Sequence, residues 1–234
     1  MKKIVTLLLS ICIGFSLCAC KKNNKEDVME FFNAFDKTLE LDSGHFSGGV
    51  TYLVGKDSNN MQLDLSLIQK GNMELALTLD LEANGNKLED FIHFYIKDGK
   101  TYLNYLGNTS QSMANKIGVN VKKKLNLSNP FLDFTDSELA ALFNSVKKEE
   151  NTYTMSIKPS SIASMLDEFG AITIDSAILV ATIEKGYISY LTFELIGKQA
   201  FNTEPQKIQI SFDGKLDHIN SLSKVNFPSD LSTY

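Results

Sequence analysis

The residues that could carry out catalysis or bind a metal ion are few, and each stands alone in the sequence. His45, His93 and His218 are single histidines in strand-like stretches, whereas zinc sites need several ligands at short, regular spacings. The Ser-x-x-Lys spacing of a serine nucleophile with a lysine base occurs at 145–148 and 221–224, without a Ser-Asp-Asn or Lys-Thr-Gly partner sequence. We therefore predict that the protein is not an enzyme and has no catalytic residue, metal ion or cofactor.

One cysteine, by contrast, has a chemistry that its surroundings specify. Two lysines after Met1 precede an apolar run from Ile4 to Leu17, which has the length of a secretory signal and is short for a membrane-spanning helix. The run ends in Leu17-Cys18-Ala19-Cys20, which resembles the lipobox of bacterial lipoproteins. The resemblance implies removal of residues 1–19 as a signal peptide and lipidation of the Cys20 thiol with acyl chains such as palmitate. A retained membrane anchor is the alternative interpretation of this run.

Residues 20–25 are predicted to be the lipidated cysteine and a short polar tether. The tether, Lys21 to Lys25, reaches only about 17 Å when fully extended, at ~3.4 Å per residue. The predicted location is therefore the extracytoplasmic face of the cell membrane, close to the lipid. All three cysteines lie within the first twenty residues, so the folded part has no disulfide.

Composition excludes several classes of protein. Of the 234 residues, 43% are hydrophobic and 22% charged, which is typical of a globular chain with a sizeable core. The 23 basic residues, all lysine, are outnumbered by 28 acidic ones, for a net charge of -5. Because a nucleic-acid-binding protein needs a basic surface to neutralise phosphates, we predict no nucleic-acid partner.

The pattern of apolar residues predicts a helix followed by many strands. Residues 26–41 have apolar side chains at helical spacing, with a strongly aromatic face. Five alternating segments follow, at 46–54, 61–67, 73–81, 91–97 and 101–106, and Asn84-Gly85 and Asp98-Gly99 between them are hairpin signals. Further strands are predicted at 153–157, 172–184, 187–197 and 208–218, and further helices at 110–117, 137–146 and 159–169.

These elements predict an α+β, β-rich fold within a single domain over residues 26–234. Several strands run well beyond the usual five or six residues, and long antiparallel strands twist and coil. A sheet of about nine such strands with one apolar face has to curl around something. We predict a curved antiparallel sheet, an incomplete barrel, with the N-terminal helix and two or three further helices on its concave side.

This layout resembles the LolA/LppX type of half-barrel lipoproteins, including uncharacterised members from low-GC Gram-positive bacteria. Segments such as Asp98-Gly99-Lys100-Thr101-Tyr102-Leu103 and Tyr190-Leu191-Thr192-Phe193-Glu194-Leu195 are similar to those proteins, and the likeness spans about residues 26–228. The resemblance implies that acyl chains or lipidated cargo are held between the sheet and the helices.

Two functions of different classes follow. The first is a membrane-anchored lipoprotein that binds or carries a hydrophobic ligand, a lipid or acyl chain. The second is a non-enzymatic envelope adaptor that binds another envelope protein, with a filled core and no ligand; exposed sheet edges permit such contacts. The candidate ligand-lining residues are Phe32, Phe35, Leu65, Leu67, Leu75, Leu77, Leu79, Phe193, Leu195, Ile210 and Phe212.

Overall fold

The computed structural model describes residues 25–109, 121, 124–125, 127, 129–166, 172–201 and 204–234. The predicted signal peptide, the predicted lipidation site Cys20 and the helix predicted at 110–117 lie outside these residues. No helix among the described residues is both long enough and apolar enough to cross a membrane.

Helices make up a small part of the described chain. The first begins five residues after Cys20, with Glu26 and Asp27 in its first turn and Lys37 in its last, which suits the helix dipole. The second helix begins with a capping box, in which Glu138 N donates to Thr135 Oγ1 and Thr135 N donates to Glu138 Oε2. The helices are α1 (Lys25–Leu39), α2 (Asp136–Ala141), α3 (Pro159–Leu166) and a 3₁₀ turn at Leu231–Thr233.

Eleven strands form one open sheet, in the order β6-β5-β4-β3-β2-β1-β11-β10-β9-β8-β7. The predicted β-rich α+β class with an open antiparallel sheet is confirmed, with eleven strands where about nine were expected. Two of the predicted hairpins close with type I′ turns, in which both central residues have a positive φ. These pairs are Asn84 with Gly85 and Asp98 with Gly99. The strands are β1 (Ser43–Val54), β2 (Asp57–Ile68), β3 (Glu74–Ala83), β4 (Asn86–Lys97), β5 (Lys100–Tyr105), β6 (Asn108–Thr109), β7 (Phe143–Glu149), β8 (Thr152–Ile157), β9 (Ile172–Glu184), β10 (Tyr187–Phe201) and β11 (Glu204–Asp217).

One predicted helix is partly wrong. The expected helix at 137–146 ends at Ala141, and residues from Phe143 onward form β7, in which Val146 pairs with Met155 of β8. The apolar spacing there fits a helix, but Asn144 and Ser145 are poor helix formers and Val146 is β-branched. With β8 available as a partner, the strand is the better solution.

The chain divides into two compact units. The first contains the described residues within Met1–Lys37, Tyr52–Lys56 and Ser128–Ser211; the second contains those within Thr38–Thr51, Asp57–Leu127 and Phe212–Tyr234. Cooperative unfolding as a single domain over 26–234 stays a prediction.

The core of the first unit lies on the apolar face of β8, β9 and β10. Register places Tyr153 opposite Ala181, and Leu195 opposite Ala177, and all four side chains are buried. Helix α1 belongs to the same unit, and its Val28, Phe31 and Phe32 are buried as well; the ring of Phe32 lies 6.2 Å from that of Phe143 on β7. Docking of the aromatic helix onto the apolar sheet face stays a prediction.

The second unit has apolar contacts on both faces of its strands. One face carries a cluster that includes Leu67, Leu75 and Ile96. On the other face, Val225 and Leu231 of the C-terminal segment pack against Ala76 and Tyr95. That face was expected to be solvated, because its strand residues alternate with the leucines; the C-terminal segment supplies its cover from a stretch with no periodic pattern.

Candidate ligand-binding face

The antiparallel register of β2, β3, β4 and β5 aligns apolar side chains into rows across the strands. Directly paired residues point to the same face of a sheet, and every second residue of a strand returns to that face. We call the resulting set of four rows the apolar ladder. Its rows are Leu67–Leu75–Ile96–Thr101, Leu65–Leu77–Phe94–Leu103, Leu63–Leu79–Ile92–Tyr105 and Met61–Leu81–Leu88.

Burial is uneven across the apolar ladder. Every residue of the first row is buried, and Ile96 is fully so (0% exposed). In the second row Leu65 and Leu77 are only partly buried. In the fourth row Met61 on β2 is buried, whereas Leu88 on β4 is 46% exposed. The ladder is therefore closed at its first row and partly exposed in the rows beyond it.

The chemistry of this face is almost entirely that of hydrocarbon. No residue of the four rows is charged, and only Thr101 and Tyr105 bring polar side-chain atoms. Solvent-accessible apolar area on a concentrated patch is costly, at about 25 cal/mol per Å², and such patches mark interaction sites. An elongated apolar molecule is the kind of ligand that would gain most by covering it.

Five of the predicted lining residues belong to the apolar ladder. Leu67, Leu75 and Leu79 are buried, and Leu65 and Leu77 are half-buried. The sixth candidate of the second unit, Phe212, lies elsewhere and stacks on Phe46 at a ring-centroid distance of 6.2 Å. The ligand-lining role of all six stays a prediction.

The remaining candidates lie in the first unit, in well-packed surroundings. Phe32 is 5% exposed and has ring-centroid distances of 5.0 Å to Phe131 and 6.2 Å to Phe143. Phe35 is half-buried, 5.8 Å from Phe131. The three strand candidates are buried in the same unit; they are Phe193, Leu195 and Ile210.

Polar contacts fasten α1 along its length within the first unit. Lys148 Nζ of β7 donates to Glu30 Oε2 at 2.6 Å, and this bond, with a second from Tyr153, lowers the pKa of Glu30. Near the end of the helix, Lys37 Nζ donates to the Lys185 carbonyl at 3.2 Å and lies 4.2 Å above the Tyr187 ring. Helix α1 is thus held as a fixed part of its unit.

A groove of about 650 Å³ separates α1 from the β9–β10 hairpin. Its walls include Glu26, Glu30, Lys37 and Lys185, and none of the predicted lining residues. Two of these charges are already paired within the protein, Glu30 with Lys148 and Lys37 with a backbone carbonyl. Four of its nine lining residues are charged, which does not suit a hydrocarbon chain.

His45 is not the isolated histidine that the sequence indicated. Its Nδ1 lies 3.0 Å from Asp217 Oδ1 on β11, and its Nε2 lies 2.9 Å from Asp64 Oδ2 on β2. Carboxylates accept and do not donate, so both contacts are hydrogen bonds only when the imidazole carries both protons. Burial acts to lower the pKa of His45, but the bonds to Asp64 and Asp217 outweigh it and the pKa is raised. The arrangement bridges three neighbouring strands.

Sequence reasoning missed part of the apolar ladder and all of the histidine bridge. Leu63, Leu81 and Ile92 belong to the ladder, and their alternation within predicted strands was a usable signal. The partners of His45 lie 19 and 172 residues away, and no local pattern joins them. Only the strand order, which places β1 between β2 and β11, brings them together.

Comparisons with known proteins give structural likeness without a family. No protein-family model matches the chain, and no curated protein matches it. Among solved structures it is similar to LprF from Mycobacterium bovis, with 11% sequence identity, coverage of 88% of this chain and 97% of that chain, and a TM-score of 0.39. It is also similar to a chain in the MucA/MucB complex of Pseudomonas aeruginosa, with 10% identity, coverage of 81% and 94%, and a TM-score of 0.27. No residue role is carried over from either protein.

Proposed function

We propose that the protein is a non-enzymatic lipoprotein, anchored to the extracytoplasmic face of the cell membrane through Cys20, which binds a lipid or acyl chain on the apolar ladder of its second unit. In this proposal it is related to the half-barrel lipoproteins that its sequence layout resembles. The lipobox-like segment supports the anchor, and the apolar ladder supports the ligand.

A single observation carries the ligand-binding part. No residue of the four rows of the ladder is charged, yet the buried Leu75 lies beside the half-buried Leu77, and Leu88 is 46% exposed. A face that served only as core would bury these leucines as completely as Tyr153 and Leu195 are buried in the first unit. The exposed part of the ladder is the surface that the ligand covers.

The adaptor function differs in one respect that can be measured. An adaptor with a filled core carries no ligand, and it binds its partner through the outside of the sheet or through an edge strand. Among the described residues, β5 is paired at this edge only through Asn104 and Tyr105, with the short β6. Finding no bound lipid in the purified protein would favour this second function.

The anchor is tested by metabolic labelling. Cells that express the full chain and are fed labelled palmitate should incorporate the label into the protein, and Cys20→Ala should abolish the label and release the protein from membranes. Continued labelling of Cys20→Ala would contradict the anchor and would leave the ligand proposal to be judged separately.

The ligand is tested by native mass spectrometry of the full chain extracted from its membranes. We expect a non-covalent lipid adduct that collisional activation removes, in addition to the covalent lipid on Cys20. Leu63→Asp should lose the adduct because it places a charge on the ladder, while Gln62→Asp, one residue away on the exposed opposite face, should keep it. A wild-type protein without any adduct would contradict the proposal.

A further inference from the structure

We infer that the turn at residues 130–133 contacts the membrane, and that the Leu132 side chain enters the extracytoplasmic leaflet beside the Cys20 anchor. This inference rests on the anchor of the proposed function and adds a second contact with the same membrane. It does not depend on a ligand on the apolar ladder. An exposed apolar cluster, its support by α1 and its distance from the tether carry the argument.

The turn concentrates apolar side chains at the surface of the first unit. Four of the five residues from 130 to 134 are apolar, and none of these four is buried. Leu132 is 77% exposed, the largest exposed fraction among the large apolar side chains of the described residues. Phe131 and Phe134 flank it, with ring centroids 6.0 Å apart. A single exposed leucine is ordinary, whereas several apolar side chains at one turn mark a contact site.

Polar and aromatic contacts fasten the turn to α1. Asn129 Oδ1 accepts a hydrogen bond from Phe131 N at 2.8 Å, and Asn129 Nδ2 donates to Asp36 Oδ1 of α1 at 3.1 Å. The Phe131 ring lies 5.0 Å from the ring of Phe32, which is buried. Because the turn is already supported, Leu132 has little conformational freedom to lose when it enters lipid.

The tether places this turn within reach of the membrane surface. Lys25, where α1 begins, lies five residues after Cys20, which is at most about 17 Å of extended chain at ~3.4 Å per residue. Lys25 Nζ lies 3.5 Å from Asp136 Oδ2. Asp136 follows Leu132 by four residues, which is at most about 14 Å of chain. The turn therefore lies near the tether, and the Leu132 side chain is able to reach the acyl chains around Cys20.

The composition of the turn favours neutral lipid. No lysine lies among residues 129–136, and Asp133, the neighbour of Leu132, is exposed. Anionic headgroups are therefore not attracted to this turn, and the contact depends on the burial of apolar surface. Phosphatidylcholine should be sufficient for the contact, and anionic lipid should weaken it.

Fluorescence quenching by brominated lipid tests the contact. The chain contains no tryptophan, so Leu132→Trp provides a single reporter in the full chain, purified with its lipid and reconstituted in phosphatidylcholine vesicles. Bromine on the acyl chains should quench this emission several-fold more than that of Ile178→Trp, the control at a 40% exposed side chain of β9 in the same unit. Dissolved iodide should quench the two reporters in the reverse order. Because Leu132 is so exposed, its replacement should leave the thermal transition unchanged.

Three results would overturn the inference. Quenching of Leu132→Trp by iodide and not by lipid would place the turn in water. Protection from both quenchers would show that a protein covers the turn. Equal quenching of the two reporters by lipid would show that the turn has no special contact. Mass spectrometry of the same protein tests the anchor separately: a missing lipid on Cys20 would overturn the anchor and this inference together, whereas a present lipid leaves the anchor standing whatever the quenching shows.

Discussion

The two units differ in how completely their apolar strand residues are buried. In the first unit, Tyr153 of β8 and Leu195 of β10 are each 1% exposed. In the second unit, burial across β2–β5 is uneven, since Leu75 is buried whereas Leu77 is half-buried and Leu88 is 46% exposed. The same alternating strand pattern therefore gives a filled core in one unit and a partly exposed apolar face in the other.

This difference indicates what separates a filled core from the proposed binding face. The strands of both units have alternating leucines, isoleucines and phenylalanines, so hydrophobicity alone does not distinguish them. The two units differ in which residues pack over their apolar strands. Phe31 and Phe32 of α1 fill the first unit, and polar contacts such as the one between Glu30 and Lys148 fix the helix in place. Among the described residues of the second unit, Val121 and Leu125 cover the closed end of the ladder.

The largest expected effect is the loss of stability when a buried aromatic ring of α1 is removed. Phe32→Ala, in a protein beginning at Lys25, removes a ring that packs against Phe131 and Phe143 and should lower the free energy of unfolding by about 3 kcal/mol or more. Phe35→Ala, at a half-buried ring on the same helix, should cost less. Denaturant unfolding measures both, and two silent variants would mean that α1 is not the cover of this unit.

A smaller effect should appear within the apolar ladder itself. Leu75→Ala and Leu77→Ala alter the same face of β3 two residues apart, one at a buried and one at a half-buried position. Leu75→Ala should cost roughly 2–5 kcal/mol, as buried leucines do, and Leu77→Ala clearly less. Addition of palmitate should stabilise the wild-type protein against denaturant and stabilise Leu77→Ala less. Equal losses of unfolding free energy for the two variants would contradict the difference in burial between the two positions.

The smallest effect concerns the bridge made by His45. Because the pKa of His45 is raised and that of Asp217 is lowered despite its burial, the bridge stabilises the fold below the ordinary histidine pKa and loses its contribution as the pH rises through the raised value. His45→Gln should lower the melting temperature at mildly acidic pH and have little effect at alkaline pH. The corresponding loss of unfolding free energy should stay below about 1 kcal/mol, since partly exposed ion pairs contribute little.

The control for this prediction is His218→Gln. The His218 side chain is 64% exposed and lies 3.9 Å from Asp217, beyond hydrogen-bonding distance. Its melting temperature should follow that of the wild-type protein across the same pH range. A His45→Gln variant that loses the same stability at every pH would show that the residue acts through packing and not through its charge.

Much of the fold could be predicted from local sequence patterns, and the contacts between residues far apart in the sequence could not. Period-two alternation and the Asn84-Gly85 and Asp98-Gly99 turns gave the meander β1–β5, because these signals are local. The spacing of Leu139, Leu142 and Val146 predicted a helix that was too long, because residues from Phe143 onward pair with β8 as a strand. The packing of Val225 and Leu231 on Ala76 and Tyr95, and the partners of His45, depend on contacts between distant residues.

The most direct test of the account compares ligand contact in the two units. The chain contains no tryptophan, so Ile92→Trp on the apolar ladder and Phe193→Trp in the filled face each provide a single fluorescent reporter. Titration with brominated palmitate, whose bromine quenches tryptophan on contact, should quench the emission of Ile92→Trp strongly and saturably and leave that of Phe193→Trp unchanged. Equal quenching of both reporters, or quenching of Phe193→Trp alone, would contradict the claim that the apolar ladder is the binding face.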